Sequence, residues 1–425
     1  MAITTTWRFR YGNKNTAMTD ITSYVLNGSV DQKCGFPEMA RGHAQIVINN
    51  KTGAFTPLGG GTYGTVDWFN MALSIDVNVT SSAGSTGYVK VFDGIVQTFG
   101  LDDNGVMSYV TIDAVDALTV GGRNTPDFTD YGGDTVTWVD RWYENGDPAV
   151  PANMPTLGAT STGYTVTAVP LGTNYSYFTV GVSLFQSLAE SMNNGRMAGM
   201  FTVAIPTTID VTTPDYKFQF LDSTLTKTGA YRKVYEFIEK TPTGTKLPIN
   251  QIKEGYQDEL LTNSVKMGGN GNSASYVTKQ NFDSIKKYGP RYRQYLNSSA
   301  PTTTGIGLSL AEVAQDWVNR FGDVNFMPYN FSFSSKQVQQ YCDEAARDQW
   351  SNLLSVEYGL WQTATVTYTP TGCSQRTRVV VIAGRTITFD PSQTFINIDL
   401  LPGHDYQSFL LDSNEIGLLD TDRLA

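Results

Sequence analysis

The sequence predicts a mainly β chain with α+β insertions: two similar β-barrel domains, one toward each end, plus inserted helical and mixed domains. Three observations carry this. The 425 residues include 40 Gly, 12% are aromatic and only 16% are charged, a balance that favours short strands and turns over long helices. Period-two alternation of apolar and polar residues recurs toward both ends of the chain, in 71–79 and again in 395–401. Helical spacing is confined to stretches between these ends.

From Trp7 to about Gly121 the pattern is strands: 44–49, 71–79 (Met71, Leu73, Ile75, Val77, Val79), 88–92, 94–101 and 108–114. Asp102–Gly105 form a turn of residues that tolerate positive φ. Residues 1–121 are therefore expected to form the first barrel. Residues 122–250 read as an α+β insertion, with aromatic residues Trp138, Trp142 and Tyr143 and a Pro-rich link from Pro148 to Pro155. It is expected to hold two short helices, one behind the Ser183/Gln186 capping box and one on Tyr231, Val234, Tyr235 and Ile238.

Residues 251–304 and 355–402 are expected to make the second barrel, interrupted by a helical insertion at 305–354. There Ser309/Glu312 and Ser334/Gln337 form capping boxes, and Gly322 stops the first helix. The second helix should set Val338, Tyr341, Cys342, Ala345 and Gln349 on one face. Strands 379–382 and 395–401 close the sheet, with Gly384, Pro391 and Pro402 as breakers, and 403–425 remain as a docking tail.

The net charge of −10 argues against a dedicated nucleic-acid binder, which needs surplus Lys and Arg to displace counterions. Cys34, Cys342 and Cys373 suit neither a disulfide framework nor a zinc site. The N-terminus lacks a secretory pattern and no stretch is long and apolar enough to span a bilayer, so synthesis in a reducing cytoplasm without signal-directed export is expected. With only His43 and His404, and no nucleophile, Walker or dinucleotide motif, no enzyme activity and no cofactor or metal is expected. The carboxylates that could serve glycoside cleavage are Asp102, Asp103, Asp113, Asp116, Asp130, Asp134 and Asp140, but Asp is also the common turn residue of β proteins. One basic cluster, Lys279, Lys286, Lys287, Arg291 and Arg293, is interleaved with Tyr288, Tyr292 and Tyr295. Basic and aromatic interleaving can bind single-stranded nucleic acid, but in an acidic chain it reads rather as a contact for acidic neighbours at a subunit interface.

Four stretches, in order, resemble the minor tail proteins and tail-tip hubs of siphophages. They are Asp20–Pro57 with its INNKTGAFTP segment, VFDGIV followed by VTIDAVDAL, Asn263–Arg291 ending SIKKYGPR, and Gly384–Pro391 with the close LLDSNEIGLLDTDRLA. The resemblance covers about half of the chain and leaves 122–250 unmatched. It implies a structural baseplate hub in the virion, a homotrimer whose two tube-like β-barrel domains per chain make a pseudo-sixfold ring. Its implied partners are a distal tail protein, the tape-measure protein and tip or fibre proteins, with DNA passing the lumen without specific binding. Interface candidates are Phe409, Leu410, Leu411, Leu418, Leu419 and Leu424 of the tail, together with Lys286, Lys287, Arg291 and Arg293. Two alternatives belong to other classes: a distal tail ring, and a tail-associated protein that binds or hydrolyses glycans through Trp138, Trp142, Tyr143 and the nearby carboxylates.

Overall fold

The computed structural model describes residues 3–116 except 13–17, 34–41, 59, 70 and 104–106. It also describes 233–403 except 240–241, 257–260, 270–275, 299–309 and 324–326, and the backbone of five strands in between. The first part is all strand: β1 (Thr4–Gly12), β2 (Thr19–Asp20), β3 (Val25–Lys33), β4 (His43–Asn49), β5 (Ala72–Ser81), β6 (Gly84–Asp103) and β7 (Ser108–Asp116). They pair in the order β3-β4-β7-β6-β5-β1-β2, and β2 runs through a single 3-10 turn back into β3. The path thus returns to its start, as a barrel wall does.

The alternation read from sequence is the reason. Leu73, Ile75, Val77 and Val79 of β5 are fully buried, as are Ile46 and Ile48 of β4 and Val110 and Ile112 of β7, each set two apart and therefore on one face. The segment 94–101 is not separate from 88–92: β6 is one strand of 20 residues, bent by register shifts against β5 and β7 where a bulge absorbs the curvature. The INNKTGAFTP segment is a loop tied by one side chain. Asn50 Oδ1 accepts the Phe55 N–H at 2.8 Å, and Asn50 Nδ2 donates to Thr56 Oγ1 and Ser108 Oγ at 3.0 Å each. Phe55 is thereby turned inward to stack on Tyr63 at 4.6 Å.

Five strands follow: β8 (Tyr131–Asp134), β9 (Thr156–Ala159), β10 (Pro170–Ser176), β11 (Phe201–Pro206) and β12 (Asp215–Leu221). β8 pairs with β10, and β12 lies between β11 and β9. The helix expected behind Ser183 lies outside the described residues.

The last part begins with β13 (Val234–Glu239), β14 (Leu247–Ile249) and β15 (Gln251–Gly255). Next come β16 (Ser264–Gly269), β17 (Val277–Gln280), α1 (Phe282–Tyr288), β18 (Tyr292–Ser298), α2 (Leu310–Phe321) and β19 (Met327–Ser334). The described chain closes with α3 (Ser335–Tyr341), α4 (Arg347–Leu354), β20 (Thr363–Tyr368), β21 (Arg376–Phe389) and β22 (Thr394–Pro402). A second cycle runs β14-β13-β20-β21-β22-β19-β15, and β15 follows β14 after Asn250. Together the two cycles are one 14-stranded sheet.

Several local expectations change. Of the helix expected on Tyr231 to Ile238, the residues from Val234 onward are instead β13, because Val234 and Glu236 face solvent while Tyr235 and Phe237 are buried; the true period is two. The single helix expected after Ser334 is broken. Its capping box is present, with the Gln337 N–H on Ser334 Oγ, but Cys342 is extended and α4 starts anew at Arg347. Ala345 is therefore exposed, and Ala346 and Trp350 are buried instead. Gly384 does not end a strand: β21 continues through it with a register shift against β22. Within the stretch expected to be helical, β19 is a strand of the large sheet; in the stretch 251–304 expected to be barrel, β16, β17 and β18 form a sheet of their own.

The two cycles meet on β21. Its first half, Arg376–Val381, pairs with β20, and its second half, Gly384–Phe389, pairs with β3. Gly28 of β3 has to be glycine here, because a Cβ would lie 2.4 Å from the Gln45 carbonyl and 2.7 Å from the Phe389 ring. Arg385 is fully buried at this seam. Its guanidinium donates to Gln32 Oε1 of β3 at 2.6 and 3.1 Å and to the Leu353 carbonyl of α4. Replacing Arg385 by Met should leave those acceptors unpaired in the core and lower stability by about 3 kcal/mol, read as a shifted urea midpoint. The same change at the partly exposed Arg376 should cost under about 1 kcal/mol.

Candidate functional site

Three features outside the seam carry polar chemistry or open surface. The first is a buried charge cluster on β1, β5 and β6. The period-two spacing of Arg8 and Arg10 places both on the face opposite Phe9, and the register sets them against Asp76 and Ser74. Asp76, wholly buried, accepts from Arg8 Nε at 3.0 Å and Arg10 Nη2 at 2.7 Å on one oxygen. Lys90 Nζ stands 3.6 Å from its other oxygen, 2.5 Å from Ser74 Oγ and 2.9 Å from Asp93 Oδ2. Burial pushes the Asp93 carboxyl above its ordinary range, against the pull of Lys90. The sequence signal was present and unread: charged residues inside three strands, where alternation alone suggested a wet face.

The second is a groove of about 450 Å³ between the first residues of β1, the start of β3, the β21–β22 turn and α3. Phe9 turns its N–H and C=O away from β5, to Thr22 Oγ1 and the Ile21 N–H. By alternation, Thr5 and Trp7 point theirs to the same edge, but β2 pairs only with Arg10 and Tyr11. Trp7, Phe9 and Phe389 stack beneath this edge, with ring centroids 4.7 to 6.3 Å apart. Lys336 and Asp390 stand exposed on the rim. The Ser392 hydroxyl, then the N–H groups of Ser392 and Gln393, hold the Asp390 carboxyl below its usual range.

The third is the small sheet β17-β16-β18 with α1 and α2. Asn281 Oδ1 caps α1 by accepting the Ser284 N–H at 3.1 Å, and Gly289, at φ 76°, ends it. Fully buried Asn263 fixes both ends of the SIKKYGPR segment: it donates to Ser284 Oγ and the Gly289 carbonyl and accepts the Arg291 N–H at 2.7 Å. The expected basic residues are thereby brought onto one unit. Lys286, Lys287 and Arg291 are exposed, Arg293 lies over the Trp317 ring at 4.6 Å, and Phe282 and Tyr292 are 67% and 71% exposed beside them.

Other expected residues are dispersed. Asp102 and Asp103 are exposed at the end of β6; Asp113 stands 3.7 Å from half-exposed His43; Asp116 accepts the Gly42 N–H. Asp130, Asp140, Trp138, Trp142, Tyr143, Cys34, His404 and the six tail residues Phe409 to Leu424 lie outside the described residues, as does the side chain of Asp134. Among the described residues no group of three His, Cys, Asp or Glu could hold a metal ion, and no helix is long and apolar enough to cross a membrane.

No protein-family model and no curated protein matches the sequence. Solved structures do. The tail protein from Neisseria meningitidis MC58 superposes over 94% of this chain and 96% of its own, with a TM-score of 0.53 at 11% identity. The two chains share a fold. The 43 kDa tail protein of prophage MuSo2 from Shewanella oneidensis aligns over 93% and 98% of the two chains, with a TM-score of 0.49 at 8% identity. Prophage tail protein gp18 from Listeria monocytogenes EGD-e aligns over 92% and 94%, at 0.46 and 9%.

Two measurements probe the chemistry of these features. The raised Asp93 value means that the folded state binds the proton more tightly than the unfolded chain. That contribution is complete below the ordinary value of 3.8 and is lost as pH rises through the folded value. Relative to an Asp93→Asn variant, the native chain should therefore lose stability from about pH 4 upward, measured as urea midpoints across a pH series. Burial and neighbouring Asp343 push the Cys342 thiol up to about 12, while Cys373 is exposed. At pH 8 only about one Cys342 in ten thousand is thiolate. A maleimide should label Cys373 and leave Cys342 unmodified until the chain is unfolded, as read by peptide mass.

Proposed function

We propose that this chain is a structural subunit of a phage tail tip, a virion protein that assembles as a homotrimeric baseplate hub and has no catalytic activity of its own. The observation that carries the reading is the pair of closed strand cycles joined through β21. Each copy offers two barrel-like units at a fixed spacing, so three copies present six around an axis and join a sixfold tube to a threefold tip. The fold shared with the Neisseria tail protein and the four motifs in order along the sequence support the same reading.

In this assembly the two cycles are the tube-like domains, and the smaller sheets and helices are their insertions. The exposed basic face of Lys286, Lys287 and Arg291, with Arg293 behind it, meets an acidic neighbour at a subunit or tail-protein contact. The lumen passes the tape-measure protein and DNA. A net charge of −10 disfavours lasting contact with phosphates, so the nucleic acid slides.

Light scattering of the purified chain across a concentration series should give a species near three times 46.6 kDa. A species near six times that mass would replace the hub by a distal tail ring. A chain that stays monomeric at every concentration, and remains so with its neighbouring tail proteins present, would overturn the reading.

A further inference from the structure

We propose that the C-terminal segment of one copy, around residues 406–412, adds as a strand to the free edge of β1 in the next copy and fills the groove there. The proposal rests on the trimeric reading for the existence of that next copy. The groove itself asks for a strand. Its floor is apolar (Trp7, Phe9 and Phe389), and its wall is the edge on which the N–H and C=O of Thr5 and Trp7 have no strand partner among the described residues. An extended peptide satisfies such an edge with main-chain hydrogen bonds and places alternate side chains in the pocket.

The tail fits that demand. In Tyr406-Gln-Ser-Phe-Leu-Leu-Asp412, Phe409 and Leu411 are two apart and so share a face; directed inward, they meet Trp7 and Phe389. The tail is acidic, with Asp405, Asp412, Glu415, Asp420 and Asp422 against Arg423, and exposed Lys336 stands on the groove's rim. Asp390 on the same rim accepts from Ser392 and Gln393 and also feels the Lys336 charge, so the tail's carboxylates share Lys336 with it.

Reach bears on which copy supplies the segment. Thr394, the first residue of β22, lines the groove, and Pro402, the last, is roughly 27 Å away along the strand. The seven residues from Pro402 to Phe409 span at most roughly 25 Å when fully extended, and reversing direction uses part of that. Leu411, nine residues from Pro402, spans at most roughly 32 Å, so the run reaches its own groove only if the chain reverses within one or two residues and is otherwise straight. A neighbour's groove carries no such restriction, and a donation from each copy to the next closes around a threefold axis.

Disulfide trapping tests this on the full chain. Residues facing each other across a non-hydrogen-bonded antiparallel pair are about 4.5 Å apart, within the range a disulfide bridges. Thr6 points outward from β1, opposite the side of Trp7, so its partner is an outward residue of the tail. A Thr6→Cys chain carrying a mass tag is mixed with untagged chains bearing Ser408→Cys, Leu410→Cys or Asp412→Cys, assembled and mildly oxidised. Peptide mass spectrometry then maps the crosslinks, and light scattering gives the mass of each mixture. The expected result is a tagged-to-untagged disulfide in the threefold species, at least tenfold more abundant than with Cys at exposed Thr278 of β17. A threefold species lacking that disulfide with all three tail variants overturns the strand addition and leaves the hub reading standing. An intrachain link in the double variant Thr6→Cys/Leu410→Cys would show the tail in its own groove and also overturns the proposal. A monomer without crosslinks that persists with the neighbouring tail proteins present removes both readings together.

Discussion

A single buried guanidinium ties the two halves of this molecule together. Arg385 sits on β21 with no exposed surface, and its donors reach Gln32 on β3, Leu353 at the end of α4 and the Val91 carbonyl on β6. Desolvating a guanidinium costs several kcal/mol unless its donors are met, so the four elements are constrained to one mutual arrangement. Gly359 belongs to the same constraint, because a Cβ there would lie 2.0 Å from Arg385 Nη1. Once this arginine is seated, β21 can serve both cycles.

The cluster around Asp76 uses charge differently. Arg8, Arg10 and Lys90 converge on Asp76 and Asp93 from three neighbouring strands. Hydrophobic residues of equal volume would hold these strands as firmly. They would not fix the register, since a slip of one residue turns every side chain to the other face and strands all five charges. We read the cluster as a register lock, at the place where β6 shifts its pairing with β5 between Ile75 and Asp76.

Much of the fold was legible in the sequence wherever one face of a strand is apolar and the other wet. Ile396, Ile398 and Leu400 of β22 are buried between partly exposed Asn397 and Asp399, as their alternation predicts. Legibility ended where both faces are covered or where two periods compete. β5 buries Ser74 and Asp76 along with its apolar set, and Tyr231, Val234, Tyr235 and Ile238 satisfy a helical spacing by coincidence while Tyr235 and Phe237 do the packing. The helix α1 was missed because its cap is Asn281, whose partner Ser284 is not the acidic or amide residue of a capping box. Of the surfaces, the basic cluster could be read from composition. The groove could not, since it exists only because β1, β3 and the β21–β22 turn meet across most of the chain.

The shared strand also sets a clock. The edge of β3 that Gly384–Phe389 covers is made early, yet its partner lies about 350 residues later, which at 5 to 20 residues per second is roughly 20 to 70 s of translation. Throughout that interval β3 presents an unpaired edge of the kind that recruits foreign strands. Its own charges are the guard on hand: Asp31 and Lys33 lie on the waiting stretch, and charged edge residues discourage wrong pairing. The first half of the molecule thus stays incomplete until Gly384–Phe389 has left the ribosome, and its maturation waits on a segment made about 350 residues later.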